Sequence, residues 1–288
     1  MSTLLAVYDL QSSPPTFDVV AFLVAAERER ILRGMQDIRI VIAPGPDNGF
    51  RRDNLPPRDP KARRRMLENI VFKMSKLLPS CVSLEEGLPE TADFPRGWSK
   101  YARLNHYGMH HIASAWKAGM YPLRATKRIE GRRLVTFSPR QAHYWPTRNI
   151  NAKAWRRLGL ELVERGYRVG VIPDVDGDFY HPEFEMFEQA STDAEERAAV
   201  YESATLNLFT GQGPMAMASF MGKANCLVFK MLAEGAVCTD ERFFKGAGFP
   251  VGSQIGRTNH RIVWQSDEEN VLLDETLSEL AEESCLPL

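Results

Sequence analysis

The sequence predicts an α/β protein built from two Rossmann-like subdomains with a cleft between them. Residues 4–43 read as one strand–helix–strand unit, and strands and helices alternate again from residue 133 onward. Connections of this kind join parallel strands. The length of 288 residues suits two medium domains of roughly 100–200 residues each. We therefore expect an N-terminal subdomain over residues 1–130 and a C-terminal subdomain over residues 131–288.

The first half contains fewer recognisable elements than the second. Its opening apolar run is typical of a buried strand. A dense apolar stretch follows that suits a largely buried helix, and Gly34 fits the end of that helix. The stretch from 85 to 131 contains aromatic and basic residues but predicts no clear strand. The predicted elements are strands at 4–8 and 38–43 and helices at 19–32 and 63–78.

The second half alternates strands and helices regularly. Its apolar runs are short and bounded by turn residues, which is typical of strands. The segment 152–165 has apolar residues at helical spacing. The predicted strands are 133–138, 167–173, 206–210, 224–230 and 261–264, and the predicted helices are 152–165, 194–204, 215–221 and 268–283.

Composition excludes several classes of function. The formal net charge is -1, whereas nucleic-acid binders usually carry a basic surplus, so we expect no nucleic-acid partner. The longest apolar run, 19–26, is far shorter than the ~20 residues of a membrane span. The first residues lack the basic start and apolar stretch of a signal peptide. The 4 cysteines are scattered and form no Cys-x-x-Cys motif. These features predict a cytoplasmic protein.

Charge is nevertheless distributed unevenly along the chain. Residues 51–65 are strongly basic, and the tail from 266 to 288 contains acidic residues but no basic ones. Charge runs are usually solvent-facing. The basic stretch could also contact an anionic membrane surface or a phosphate-bearing acceptor. In that case the protein would be peripheral to the inner face of the membrane.

A long loop between a predicted strand and helix, at 138–151, is the first candidate site. It contains Arg140, His143, Arg148 and Asn149. In open α/β sheets, ligands bind at the carboxyl ends of the strands. Two arginines beside a helix N-terminus suit a phosphate or pyrophosphate. The alternative is that the arginines hold the loop through contacts with its carbonyl groups.

The turn that follows the predicted strand at 206–210 is the second candidate. It reads Gly211-Gln212-Gly213-Pro214 and leads into a short helix. Glycines let a ligand approach the backbone, and Pro214 fits the first helical position. The free N–H groups of Met215 and its neighbour would face an anion. A tight strand-to-helix turn explains the same residues without a ligand.

This second half resembles a known enzyme family. A strand, a Gly-x-Gly-Pro turn, a helix of small residues (MAMASFMG) and a further strand (ANCLVFK) look like the donor-binding half of GT-B glycosyltransferases. The pattern is most similar to heptosyltransferases, in which a Gly-Pro turn opens a short helix near the sugar nucleotide. The RNIN segment, with the helix and the strand YRVGVIPD after it, looks like the start of the same half. In the first half DLQSSPPTFD stands where the family has a glycine-rich acceptor loop.

The resemblance implies a GT-B-like fold and a metal-independent glycosyltransferase. Such an enzyme moves a sugar from a nucleotide-sugar donor to a hydroxyl of a glycan or lipid-linked acceptor, without a bound cofactor, in surface polysaccharide synthesis. Arg140 and Arg148 would neutralise the donor diphosphate, so Arg140→Ala should weaken donor binding more than folding. The other implied substrate-binding residues are Asn149, Glu202, Gly211, Gln212, Gly213, Pro214 and Met215.

The resemblance also requires a general base from the first half, to deprotonate the acceptor hydroxyl. Asp18 is the candidate, because it ends the loop after the first strand. The alternative for Asp18 is a helix N-cap. Two other functions stay open on the same scaffold. One is a nucleotide-sugar epimerase or hydrolase, and the other is a nucleotide- or glycan-binding module without a base.

Other clusters favour structural interpretations. His106 and His110 are four apart, but they lack the glutamate of a His-Glu-x-x-His metal motif, so we expect no metal. The alternating acidic residues at 174–178 suit a loop better than a calcium site. The aromatic stretch 98–121 could stack on sugars, but core packing is commoner.

Overall fold

The computed structural model describes residues 2–53, 59–103, 108–175, 177–256 and 259–284. Two parallel sheets follow one another along the chain. The first sheet has the order β1-β2-β3, and its strands are β1 (Thr3–Asp9), β2 (Asp37–Ala43) and β3 (Cys81–Glu86). The helix α1 (Val19–Leu32) connects β1 to β2, as predicted.

The second sheet is larger, and all its strand pairs are parallel. Its order is β6-β5-β4-β7-β8-β9. The chain therefore starts in the middle at β4, moves to one edge and returns to the other side. The strands are β4 (Leu134–Ser138), β5 (Arg168–Val171), β6 (Glu185–Met186), β7 (Leu206–Thr210), β8 (Cys226–Phe229) and β9 (His260–Ile262).

Helices connect these strands and cover the sheets. The α/β class with two Rossmann-like sheets is thus confirmed. None of the helices in the described ranges is both long and apolar enough to cross a membrane. The remaining helices are α2 (Pro60–Met66), α3 (Lys73–Lys76), α4 (Met109–Lys117), α5 (Ala152–Glu164), α6 (Glu188–Thr192), α7 (Ala194–Ser203), α8 (Gly213–Ala218), α9 (Glu241–Gly246) and α10 (Glu269–Ser284).

The first half departs from prediction in three places. The predicted helix at 63–78 starts earlier, at Pro60, because the Asp59 side chain caps it by accepting from the backbone N–H groups of Lys61 and Ala62. It continues as a π-helical turn over Leu67–Phe72 into α3. The strand β3 and the helix α4 had not been predicted. β3 is an edge strand with mostly exposed residues, so it lacks the apolar pattern that reveals a buried strand.

One hydrophobic core crosses from the first half to the second. Its largest cluster includes Val20 of α1, Trp116 of α4 and Phe220 just after α8. The Trp116 indole donates to Ser219 Oγ at 2.9 Å and stacks on Phe220. The predicted boundary near residue 130 separates the sheets in sequence, but apolar packing joins them. Trp116 also shows that part of the aromatic stretch 98–121 packs in the core.

Candidate functional site

The larger sheet has a switch point between β4 and β7. Strand order reverses there, so the loops that leave the carboxyl ends of these two strands diverge and leave a crevice. These are the two loops predicted from the sequence, 138–151 and 211–213. They contact each other directly, because Gln212 Nε2 donates to the Ser138 carbonyl at 2.5 Å. Arg148 Nη2 donates to the Gly211 carbonyl at 2.7 Å.

Arg148 keeps part of its hydrogen-bonding capacity unused. Its Nη1 lies 3.3 Å from Cys238 Sγ, and its guanidinium lies over the Trp145 ring. Its Nε is buried and has no hydrogen-bond partner among the described residues. A buried donor without a partner costs about 1–3 kcal/mol. Arg148 is thus a cation at the crevice with capacity to bind a ligand.

Arg140 serves the loop itself. It is 4% exposed, and its guanidinium donates to the carbonyls of Tyr144 at 2.8 Å and Trp145 at 3.1 Å. It also donates to Asn149 Oδ1. Burial, and then the charge of Arg148, lower its pKa. These contacts match the structural alternative from the sequence, in which an arginine holds the loop through carbonyl groups.

Asn149 is occupied in the same way. Its Oδ1 accepts from Arg140 and from the backbone N–H of Ala142, and its Nδ2 donates to the Ala142 carbonyl at 3.0 Å. Arg140 and Asn149 therefore shape the loop that presents Arg148. Arg140 is buried, and the described contacts of both residues lie within the loop, which gives them a structural role.

Asp18 stands on the opposite side of this crevice. It occupies the N-cap position of α1, but its carboxylate caps no N–H of the helix within the described segment 2–53. Its Oδ2 instead accepts from Thr16 Oγ1 at 2.9 Å. The Asp18 side chain therefore does not act as an N-cap, and its carboxylate remains available for chemistry.

The electrostatics of Asp18 connect the two halves. The carboxyl reaches water, but protein on both sides of the crevice displaces bulk solvent. This desolvation raises the pKa of Asp18. The hydrogen bond from Thr16 and the charges of Arg51 and Arg148 lower it in part. Arg51 comes from the loop after β2 and Arg148 from the loop after β4, so cations from both halves act on one carboxyl.

The glycine turn has a different use from the predicted one. A Cβ on Gly213 would lie 2.8 Å from Phe17 Cβ, which is closer than two carbon atoms can approach. The glycine thus lets the loop before α1 pack against the start of α8, on the face where a ligand was expected. Met215 is 5% exposed, and Pro214 lies in the first turn of α8.

Glu202 does not belong to this site. It lies in the last turn of α7, which precedes β7, whereas Gly211 follows β7. The strand between them has 5 residues, so the two positions lie at opposite edges of the sheet, roughly 16 Å apart. The resemblance to glycosyltransferases implied the role of Glu202, and the course of the chain separates it from the glycine turn.

Arg51 and Phe17 belong to the site and had not been predicted individually. Arg51 Nη1 donates to the Ser12 carbonyl at 3.1 Å, and its Nε pairs with Asp53. Arg63 also pairs with Asp53, at 2.6 Å. The basic stretch 51–65 is thus divided, because Arg51 and Arg63 turn inward. Its position after β2, at the carboxyl edge of the first sheet, was the signal that could have identified Arg51.

The remaining candidates contribute no further group to the site. His106 lies outside the described residues. The rings of His110 and His111 lie against each other at a tilt of 44°, with their centroids 3.9 Å apart. Across the described ranges, no three His, Cys, Asp or Glu residues are grouped to hold a metal ion. The acidic loop after β5 accepts from Gln141, with Asp174 Oδ2 3.0 Å from its backbone nitrogen.

Comparison with known proteins finds similar folds among solved structures. No protein-family model matches the chain, and no curated protein matches it either. A glycosyl transferase family 9 protein from Veillonella parvula is 10% identical with a TM-score of 0.47, and the match covers 98% of both chains. The heptosyltransferase WaaC of E. coli, solved with ADP, is 14% identical with a TM-score of 0.46 over 98% of this chain and 100% of that one.

A putative UDP-N-acetylglucosamine 2-epimerase from Listeria monocytogenes is also similar. It is 11% identical with a TM-score of 0.42, and the match covers 98% of this chain and 88% of that one. Similarity at these values assigns no activity to this chain.

Proposed function

We propose that the chain is a glycosyltransferase that moves a sugar from a nucleotide-sugar donor to a hydroxyl of a glycan or lipid-linked acceptor, without a bound metal. The observation that carries this proposal is Asp18. It is a water-accessible carboxyl with a raised pKa, and it faces Arg148 from the other half of the molecule. Sugar transfer needs a base on the acceptor side and positive charge on the side of the leaving group.

Arg148 is the proposed ligand of the donor diphosphate. Arg148 is half-buried, and its Nη1 and Nη2 each use one N–H in the described contacts, so each has a second N–H for a charge-assisted hydrogen bond to a phosphate oxygen. As the bond between sugar and diphosphate breaks, negative charge accumulates on the leaving phosphate. A cation fixed in advance beside that phosphate stabilises the transition state. Arg51 adds a second positive charge near the same carboxyl, so guanidinium groups would replace the metal ion that other transferases use.

Asp18 is the proposed general base. An acceptor hydroxyl placed between Asp18 and the anomeric carbon would lose its proton to the carboxylate as its oxygen forms the new glycosidic bond. The carbon–oxygen bond to the diphosphate breaks in the same step. A raised pKa makes the Asp18 carboxylate a stronger base than an ordinary aspartate. Thr16 holds the carboxylate through its hydroxyl.

The acceptor would lie against the first half. A cavity of about 270 Å³ opens at the carboxyl edge of the small sheet, lined by Leu10, Phe50 and Leu67 together with Lys61 and Arg64. Glu86 also lines the cavity and pairs with Arg64, which pairs with Glu68 as well, so Lys61 is the basic group proposed to meet the phosphate of a lipid-linked acceptor against the apolar walls. Arg52, Lys61 and Arg65 are exposed, which supports peripheral binding to an anionic inner-membrane surface from the cytoplasm. Sedimentation with anionic liposomes at low salt tests this, and no binding would reject it.

Calorimetric titration of nucleoside diphosphates tests the donor site. UDP, GDP and ADP are each titrated into the wild-type protein, Arg148→Ala and Arg157→Ala. Arg157 is the matched control, because it is an exposed arginine of α5 with only a 4.0 Å contact to Glu269. We expect one diphosphate to bind, Arg148→Ala to weaken it roughly 10- to 100-fold, and Arg157→Ala to bind as the wild type does. Absence of binding by every diphosphate would reject the proposed function.

Two other functions predict different outcomes. A nucleotide-sugar hydrolase or epimerase on the same scaffold would release nucleoside diphosphate, or convert the sugar, without any acceptor. A binding module without a base would need no ionisable group on the first half that faces the crevice. The position of Asp18 favours the transferase over the module.

A further inference from the structure

Two large aromatic side chains are exposed at the mouth of the crevice. Tyr144 is 45% exposed and Trp145 is 38% exposed, and both lie in the loop between β4 and α5. Their ring centroids are 5.7 Å apart, and the ring planes meet at 67°. The two rings thus form an open corner. Neither ring takes part in the sugar transfer proposed above.

The backbone beneath the corner is held in an uncommon conformation. Trp145 has φ 52° and ψ 62°, in the left-handed region that side chains with a Cβ rarely adopt. Pro146 follows it, and a residue before proline favours extended conformations. Such conformations persist only where surrounding contacts fix them, and they cluster at binding sites.

Such contacts are present along the backbone of this loop. The buried Arg140 guanidinium donates to the Tyr144 carbonyl and to the Trp145 carbonyl. On the other side, Thr147 Oγ1 donates to the Glu234 carbonyl at 2.7 Å. A buried cation and one neighbouring segment thus fix the backbone that presents the two rings, so a ligand that stacks on them meets a preorganised surface.

The position of Arg148 indicates what part of a ligand lies there. Its guanidinium lies 5.6 Å from the Trp145 ring centroid and is the proposed diphosphate contact. A diphosphate in the donor has the sugar at one end and the nucleoside at the other. The sugar end must lie at Asp18 for transfer, so the nucleoside end is left for the aromatic corner. Only one ribose separates the base from the phosphates.

We propose that Tyr144 and Trp145 form a stacking platform for the nucleobase of the donor. This rests on the proposed function and names the part of the donor that the loop recognises. Nucleobases stack on exposed tyrosine and tryptophan rings because every base has a π-face. Stacking tolerates different bases. The platform therefore contributes affinity, and selectivity for one base would come from other residues around it.

The first test separates stacking from phosphate binding. UDP, GDP, ADP and inorganic pyrophosphate are titrated into the wild-type protein, Trp145→Ala, Trp145→Phe and Tyr101→Ala. Tyr101 is an aromatic control that is 85% exposed and lies in the first half. We expect Trp145→Ala to weaken the nucleoside diphosphate about tenfold and to change pyrophosphate affinity less than twofold. Trp145→Phe should restore most of the affinity, and Tyr101→Ala should change nothing.

The possible outcomes distinguish a failure of the stacking platform from a failure of the proposed glycosyltransferase function. Unchanged nucleotide affinity in Trp145→Ala, or an equal loss for pyrophosphate, overturns the platform while the diphosphate site stands. The same holds if Trp145→Ala raises only the KM for the acceptor, which would place the acceptor on the rings. If the wild type binds neither nucleotide nor pyrophosphate, the proposed function fails and the platform falls with it.

Fluorescence provides a readout without any variant of the phosphate site. Trp98, Trp116 and Trp155 are almost fully buried, so acrylamide should quench Trp145 much more than these three. The difference between the wild type and Trp145→Phe isolates the Trp145 signal. We expect saturating nucleoside diphosphate to protect that signal from acrylamide. Quenching of Trp145 that stays the same at saturation contradicts the platform.

Discussion

The two ends of the loop between β4 and α5 contain the same side chain with opposite tasks. Arg140 at the start is 4% exposed and uses its donors on carbonyls of its own loop. Arg148 at the end keeps Nε unpaired among the described residues and acts on Asp18 across the crevice. Residue type therefore does not decide which arginine binds a ligand. The decisive property is whether the guanidinium still reaches the crevice after the loop has folded, since Arg140 is buried and Arg148 is only half-buried.

The largest expected effect is a loss of activity when Asp18, the carboxyl that faces Arg148, is replaced. Asp18→Asn removes the base that Arg148 faces and keeps nearly the same shape. We expect kcat to fall about 10²–10⁴-fold, the usual contribution of a general base, without loss of nucleotide affinity. Steady-state kinetics with the donor identified by titration measures it. Asp274→Asn, on the exposed face of α10, is the matched control.

The acidic limb of the activity profile follows from the same carboxyl. Asp18 must be ionised to accept a proton, and desolvation raises its pKa. Activity should therefore increase as pH rises through a pKa above the ordinary aspartate range, and Asp18→Asn should lose this limb. A pH profile of kcat/KM measures it. A limb that persists unchanged in Asp18→Asn belongs to another group and removes Asp18 as the base.

The role of Arg140 in holding the loop is tested by a measurement of stability. Arg140→Ala leaves the carbonyls of Tyr144 and Trp145 and the amide of Asn149 without their buried donor. We expect the free energy of unfolding to fall by about 2–4 kcal/mol, measured by urea denaturation. This reverses the expectation from the sequence, which placed the larger loss in donor binding. A variant as stable as the wild type that binds no nucleotide would restore the original role of Arg140.

Much of the second half could be predicted from the sequence, because its strands are short buried apolar runs between turn residues. The strand at 206–210 matches β7 residue for residue. In the first half, β3 could not be predicted, since an edge strand with exposed side chains lacks the apolar pattern. The sequence also placed the two crevice loops correctly, because both follow strands at the carboxyl edge of a parallel sheet.

Individual side-chain roles were harder to predict. Gly213 suggested room for a ligand, but the room belongs to Phe17, which comes from the other half of the chain. Glu202 suggested a hydroxyl contact, but β7 places it at the far edge of the sheet. The roles of Gly213 and Glu202 depend on where the chain places them in three dimensions, and the spacing of residues in the sequence does not predict that position. Arg140 and Arg148 likewise could be separated only once their hydrogen-bond partners were known.

The smallest expected effect concerns stability and has a definite sign. The folded-state pKa of Asp18 lies above its ordinary value, so folding favours the protonated form. The associated stability is present below the unfolded pKa and is lost as pH rises through the folded one. Asp18→Asn should therefore be slightly more stable than the wild type at neutral pH, and the difference should vanish in acid. Because the carboxyl reaches water, the gain is small, and urea denaturation at several pH values measures it.

The central claim is that Asp18 and Arg148 face one anionic ligand from opposite sides. Calorimetric titration of the same nucleoside diphosphate into Asp18→Asn and Arg148→Ala tests it most directly. Removal of a negative charge beside the diphosphate should tighten binding about twofold to fivefold, whereas removal of the guanidinium should weaken it roughly 10- to 100-fold. Shifts of opposite sign support the shared site. Binding that stays at the wild-type value in both variants would show that the ligand lies elsewhere.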